Sequence, residues 1–272
     1  MRILLAKIEA DAAARLPLPP GRTPAQELAR YKSFLKIETQ RLKILHRGGG
    51  SGREVCQARA AVLDALLRHV LGAVRQTMDA PAAAAPPRLA LVAIGGYGRG
   101  ELNPHSDIDI MLLHDGDGIL AARGKLHPLL TALTSPGGLL YTLYDIGLKV
   151  GYSVRTVDDC VREANDNMQS KTSLIEARLI TGDEAVFNRM QAVVLTKCVH
   201  GFEADYIPGR LADQEARRQK RGARPVADRD RSRSDRGLPV SGAGRDRLVA
   251  AEGRLGRRAC PPVGRRGPGP CG

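Results

Sequence analysis

Between Ile94 and Leu113 the chain reads IGGYGRGELNPHSDIDIMLL, and two of its acids stand one residue apart at Asp107 and Asp109. Alternate side chains of an extended strand point the same way, so a strand through Ile108 sets both carboxylates on one face. Two such charges held a few ångströms apart repel each other unless a cation lies between them. A hard divalent ion with oxygen ligands, Mg²⁺ above all, suits that pair. Ten residues earlier stand Gly95 and Gly96. Without β-carbons they let a phosphate chain approach the backbone closely. The residues from Tyr97 to Leu102 read as the start of a short helix whose first amides face the phosphates. Arg99 adds a charge-assisted contact and Ser106 a hydroxyl. Metal-bridged carboxylates and phosphates then orient an α-phosphate for in-line displacement, with pyrophosphate leaving. A Gly-Gly turn or an Asp-x-Asp alone says little. The two together, each tied to a strand and separated by this spacing, are specific.

The elements that must hold these residues are legible in outline. Arg88–Ile94 reads as a buried strand ending in Gly-Gly, and Ile108–Leu113 as a second. A third is expected over Tyr141–Val154, with an irregularity at Gly147, and a helix over about 118–134. Upstream, residues 1–23 read as a loose Pro- and Ala-rich lead-in. Thr23-Pro24 opens a helix to about His46, broken at Gly48–Gly52. A second helix runs from Glu54 to about Met78, and 80–87 is an Ala/Pro connector. His69, on the apolar stripe of that second helix, reads as a packed histidine rather than a ligand. After Thr156 two or three helices run to about 205. The expected fold is α+β: a small mixed sheet flanked by helices, with N-terminal helices and a disordered C-terminal tail. The expected divisions are 1–87 (helical), 88–160 (the core), 161–220 (helical) and 221–272 (tail).

Composition narrows the partners. The net charge of +13 suggests a polyanion, but residues 221–272 hold 13 Arg against 5 acids, so most of the excess lies there. The remainder is mild, and nucleic acid is not an expected partner. The 5 Cys are widely spaced, without a zinc pattern, and read as reduced thiols of a cytoplasmic protein. No apolar run approaches the roughly 20 residues of a spanning helix.

Residues 221–272 differ in kind, with no Ile, Phe, Tyr, Met, Asn, Thr, Gln, His or Lys. Three readings are open: an Arg-rich RNA-binding tail, a solvated linker, or translation out of frame in a GC-rich gene. The last fits the abrupt change after Lys220 best, and the coding DNA read in the other frames tests it.

The stretch GGYGRGELNPHSDIDIMLL resembles the signature of the DNA-polymerase-β-like nucleotidyltransferases. Within them it is most similar to the N-terminal domain of the bifunctional uridylyltransferase/uridylyl-removing enzymes that act on the PII signalling protein. Tyr144–Thr156 resembles that family's third strand, and Ser173–Asp183 the helix that follows. The likeness spans about residues 25–220. It implies transfer of UMP from UTP to a tyrosine of PII with Mg²⁺. It also implies Asp107 and Asp109 as metal ligands, and Gly95, Gly96 and Ser106 as the phosphate cradle. Two departures follow. The superfamily carries a third carboxylate on the strand after Asp-x-Asp, where this chain has Lys149, and Asp145 is the nearest acid. The family also continues into a metal-dependent phosphohydrolase domain and two ACT domains, which this sequence does not include. The competing expectations are a protein adenylyltransferase using ATP on a target such as glutamine synthetase, and a catalytically inactive nucleotide-binding fragment.

Overall fold

The computed structural model describes residues 1–76, 88–116, 120–121, 125–126 and 128–221, which belong to one compact unit, Met1–Ala223. The expected connector at 80–87 and all but the first residue of the tail lie outside the described residues.

Three helices come first: α1 (Arg2–Arg15), α2 (Leu28–Arg47) and α3 (Gly52–Gln76). The first corrects the expected lead-in. Its polar pattern is weak, but Ile8, Ala12 and Leu16 are buried, and the helix packs on α3. Tertiary burial, not propensity, holds such a helix. Thr23 and Pro24 open a 3₁₀ turn, Pro24–Glu27, that leads into α2, with Thr23 N–H donating to Gln26 Oε1 at 3.0 Å. The Gly48–Gly52 break is present, with Gly49 at φ +92°. On α3 the half-buried His69 bonds through Nδ1 to the carbonyl of Ala65 at 2.8 Å, as a structural histidine does.

The sheet is mixed and has four strands. β1 (Leu89–Ala93) pairs antiparallel with β2 (Ile108–His114), and between them lies the single turn α4 (Gly95–Gly98). Two short strands follow, β3 (Leu120–Ala121) and β4 (Lys125–Leu126), then α5 (Pro128–Thr134) and α6 (Leu139–Asp145). β5 (Val150–Thr156) lies parallel to β2 and runs into α7 (Val157–Asp166) and α8 (Met168–Ile175). β6 (Arg178–Gly182) pairs antiparallel with β1 on its other side, giving the order β5-β2-β1-β6. The described residues end in α9 (Glu184–Val194), one π-helical turn (Leu195–Val199) and α10 (Glu203–Arg221). This is the expected α+β fold.

Three expectations are corrected. Of the helix expected over about 118–134, Pro128–Thr134 is helical, whereas Leu120–Ala121 and Lys125–Leu126 are strands. Pro128 suits a first helical position, where no amide partner is needed. The strand expected from Tyr141 begins at Val150, because Leu139–Asp145 is helical. Gly147 ends that helix at φ +91°, donating to Tyr144 O while Leu148 N–H donates to Leu143 O, a Schellman closure. Arg178–Gly182, read within a helix, is instead the edge strand β6. Its register slips once against β1, between Leu91 and Val92.

The sheet is covered on both faces. Met111 and Leu113 of β2, with Ala90 and Val92 of β1, bury against α7, α8 and α9 through Cys160, Leu174, Phe187 and Met190. Ile108, Ile110 and Leu112 point the other way and are equally buried. Burial of each such side chain stabilises the fold by roughly 1.5–3 kcal/mol. β2 is therefore held rigidly along its length, and only Asp109 within it is exposed. Among the described residues no helix is long and apolar enough to cross a membrane.

Candidate active site

Asp107 immediately precedes β2 and Asp109 is its second residue, and both side chains are exposed while Ile108 between them is buried. The rest of the strand is core, so the pair sits where β2 emerges from it. Asp109 backbone O accepts from Ile94 N–H at 3.1 Å, which ties the acid's strand to the entrance of the glycine turn. Its carboxylate lies between two glycines. A β-carbon on Gly151, its partner in β5, would be 2.5 Å from Oδ1, and one on Gly95 would be 4.0 Å from Oδ2. Partial burial, and then the charge of Asp107, raise the Asp109 carboxyl above the ordinary carboxylate value. An anion disfavoured in this way is a group that gains from a cation.

The turn itself differs in detail from the expectation. It starts at Gly95, which adopts φ +61°, a conformation that suits glycine. The helical turn is therefore Gly95–Gly98 and not Tyr97–Leu102. Its first amides, those of Gly95, Gly96 and Tyr97, have no carbonyl ahead of them in the turn to bond. Arg99 lies beside this backbone, its Nη2 3.6 Å from where a Gly96 β-carbon would be. Its Nη1 is paired with Glu176 at the end of α8. Ser106 is exposed in the loop before Asp107, and its amide donates to Asn103 O at 3.0 Å. That loop is anchored to the start of α3: Leu102 N–H donates to Cys56 O at 3.3 Å, and Arg53 pairs with Glu101 at 3.2 Å. A cleft of about 750 Å³ opens there, lined by His46, Arg53, Cys56, Arg99, Glu101 and Asn103, so Arg99 borders both the cleft and the glycine turn.

The structure does not bring Asp145 to Asp107 and Asp109 along a strand. Asp145 is the exposed last residue of α6, separated from β5 by the Gly147 turn. Nor does β5 supply an acid. Its residues on the face of Asp109 are Gly151, Ser153 and Arg155, and Lys149 lies just before it, its carbonyl accepting from Ile108 N–H at 2.9 Å. Among the described residues no group of three or more His, Cys, Asp or Glu is placed to hold a metal. The two acids still suit Mg²⁺, which is commonly held by one or two carboxylates with substrate phosphates and water completing its shell.

A connected set of side chains behind the turn was not legible from local sequence. Asp64 of α3 accepts from Arg178 through both oxygens, at 2.8 and 3.0 Å, and from the Tyr97 hydroxyl at 2.6 Å. The three residues lie far apart in the chain, and only β6 pairing against β1 unites them. A hint was present in Thr181-Gly182-Asp183, a strand end followed by a helix cap. Asp183 does cap α9, accepting from Val186 N–H at 3.0 Å.

Residues 83–178 match the nucleotidyltransferase domain family, and residues 24–127 match the glutamate-ammonia ligase adenylyltransferase family. Relatives named bifunctional uridylyltransferase/uridylyl-removing enzyme include that of Rhodopseudomonas palustris, 32% identical over 72% of this chain and 19% of its own length. That of Pseudomonas fluorescens is 34% identical over 72% of this chain and 20% of its own. That of Cupriavidus metallidurans is 41% identical over 52% of this chain and 15% of its own. The chain thus spans about a fifth of the length of these relatives. Residues 83–178 carry a nucleotidyltransferase domain, and the chain is similar to one part of the bifunctional uridylyltransferase/uridylyl-removing enzymes.

Proposed function

We propose that this chain transfers UMP from UTP to a tyrosine hydroxyl of a PII signalling protein in the cytoplasm, releasing pyrophosphate, with Mg²⁺ as cofactor. The observation that carries the reading is the Asp109 carboxylate, set between Gly95 and Gly151 and raised in pKa beside Asp107. Asp107 and Asp109 are the metal ligands. Gly95, Gly96 and Ser106 form the phosphate cradle, and Arg99 leaves Glu176 to meet a phosphate oxygen. The bound ion supplies neutralisation of the triphosphate and of charge developing at the α-phosphorus. The chain's own part is to hold the α-phosphate in line with the attacking hydroxyl. The bond from phosphorus to the tyrosine oxygen forms as the bond to pyrophosphate breaks, and the hydroxyl proton passes to solvent.

The test is incubation of the full chain with α-labelled UTP or ATP, Mg²⁺, and either a PII protein or glutamine synthetase. Label on PII from UTP, lost in Asp107→Ala and Asp109→Ala, is the expected result. A second reading is favoured by the match of residues 24–127 to the adenylyltransferase family: transfer of AMP from ATP to glutamine synthetase. Label from ATP on that protein would replace the first reading by the second. Nucleotide binding without pyrophosphate release would leave a non-catalytic nucleotide-binding module, the outcome that the lack of an acid on β5 makes worth testing.

A further inference from the structure

The glycine turn is gripped from behind by two residues that no chemistry requires at the site itself, Asp64 and Arg178, which hold its Tyr97. Arg178 opens β6 and lies under the turn. Its Nε donates to Gly98 O and its Nη2 to Tyr97 O, both at 3.3 Å, and its guanidinium is 5.5 Å from the centre of the Tyr97 ring. The same guanidinium makes the two-pronged bond to Asp64, and Asp64 also accepts from the Tyr97 hydroxyl. Tyr97 is 1% exposed. Two peptide carbonyls and one ring of a four-residue turn are therefore fixed by groups from α3 and β6. On the adjoining side Gly98 has no slack, since a β-carbon there would lie 2.2 Å from Glu176 O.

We propose that Asp64 and Arg178 are positioning residues that act through the Tyr97 side chain to fix the Gly95–Gly98 turn in its triphosphate-binding shape, so that nucleotide affinity depends on a clamp whose side chains do not touch the nucleotide. The clamp acts through geometry, not through charge at the phosphates. Arg178 is already committed to a carboxylate and two carbonyls, and a planar fork is what lets one side chain serve all three. Burial and the Asp64 charge push the Tyr97 hydroxyl well above its ordinary pKa, so it remains a proton donor to Asp64 at any working pH. The inference rests on the nucleotide-binding reading above.

Calorimetric titration of the full chain with Mg–UTP and with Mg–ATP tests it, in the wild type, Arg178→Lys, Arg178→Met and Tyr97→Phe, each with its Tm recorded. Lysine keeps the charge and loses the fork. The expected result is affinity on the order of tenfold weaker in both Arg178 variants. The loss should be smaller in Tyr97→Phe, which keeps the ring and the fold. It should be seen well below each Tm, where lost global stability alone would not change affinity. Full affinity in Arg178→Lys would overturn the clamp, because charge would then suffice. Unchanged affinity in Tyr97→Phe and Arg178→Met would overturn it as well. If the wild type binds neither nucleotide, the functional reading fails first and the clamp with it. If it binds and the variants bind equally, only the clamp fails.

Discussion

Gly151 stands directly across the parallel strand pair from Asp109, so close that a β-carbon on it would lie 2.5 Å from the carboxylate. The obstructed atom is the end of a side chain that can turn aside. Gly151→Ala should therefore cost little stability, within about 1 kcal/mol, while rotating Asp109 away from its position. Transferase activity should fall at least tenfold. Melting curves and initial rates on the same preparations separate the two effects. Full activity would show that the placement of this carboxylate is not critical.

Asp109 itself should show function opposed to stability. Partial burial and the Asp107 charge raise its pKa in the folded chain. The folded state thus holds that proton more readily than the unfolded state, and the ionised form destabilises the fold above the folded pKa. Without metal at neutral pH, Asp109→Asn should melt higher than the wild type and be inactive. Added Mg²⁺ with nucleotide should raise the Tm of the wild type and not of the variant. A lower Tm for the metal-free variant would contradict the assignment.

Arg99 is paired with Glu176 where its proposed partner is a phosphate. Glu176→Gln should free it and tighten triphosphate binding, by up to about fivefold for a pair this exposed. The gain should shrink in high salt and vanish in Arg99→Ala. Titration of the three proteins at two salt concentrations decides. Weaker binding in Glu176→Gln would mean that the carboxylate holds Arg99 in place instead of competing for it.

A separate pH effect, of opposite sign to that of Asp109, should come from the core. His114, at the end of β2, is buried, and its Nδ1 accepts from Gly116 N–H at 3.1 Å. Burial lowers its pKa below the ordinary 6.5, with the Asp159 and Asp115 charges opposing. The unfolded chain then binds the proton first, so stability should fall as pH drops below about 6.5. The limit for one proton is about 1.4 kcal/mol per pH unit. Urea unfolding at pH 7 and pH 5.5 should show a smaller loss for His114→Asn than for the wild type. Equal losses would assign the effect elsewhere.

What could be read ahead of the structure was whatever local rules govern. The alternation through Ile108, the break at Gly95 and the capped start at Thr23 each depend on residues within one turn or strand. Tyr141–Leu148 misled because an apolar, aromatic-rich stretch suits either element. Only the Gly147 cap, whose bonds reach back to Leu143 and Tyr144, makes Leu139–Asp145 a helix. Arg178–Gly182 misled for a different reason. Its strand character is conferred by β1, nearly 90 residues away, and an edge strand has no period of its own when one register slip interrupts it. Of the site, both acids and both glycines were legible. Asp64 and Arg178 were not, since a pair separated by 114 positions leaves no mark on either neighbourhood.

The late arrival of Arg178 has a consequence for synthesis. A nascent chain that has just passed Asp109 already carries the whole glycine-and-acid motif, yet 69 more residues must be translated before Arg178 exists. Until β6 docks on β1, the only hold on the turn from behind described above is the Tyr97 hydroxyl bond to Asp64. Contacts of such wide separation form slowly. The motif is translated before Arg178, and under the proposed clamp, competence for nucleotide would come only with the strand that closes the sheet.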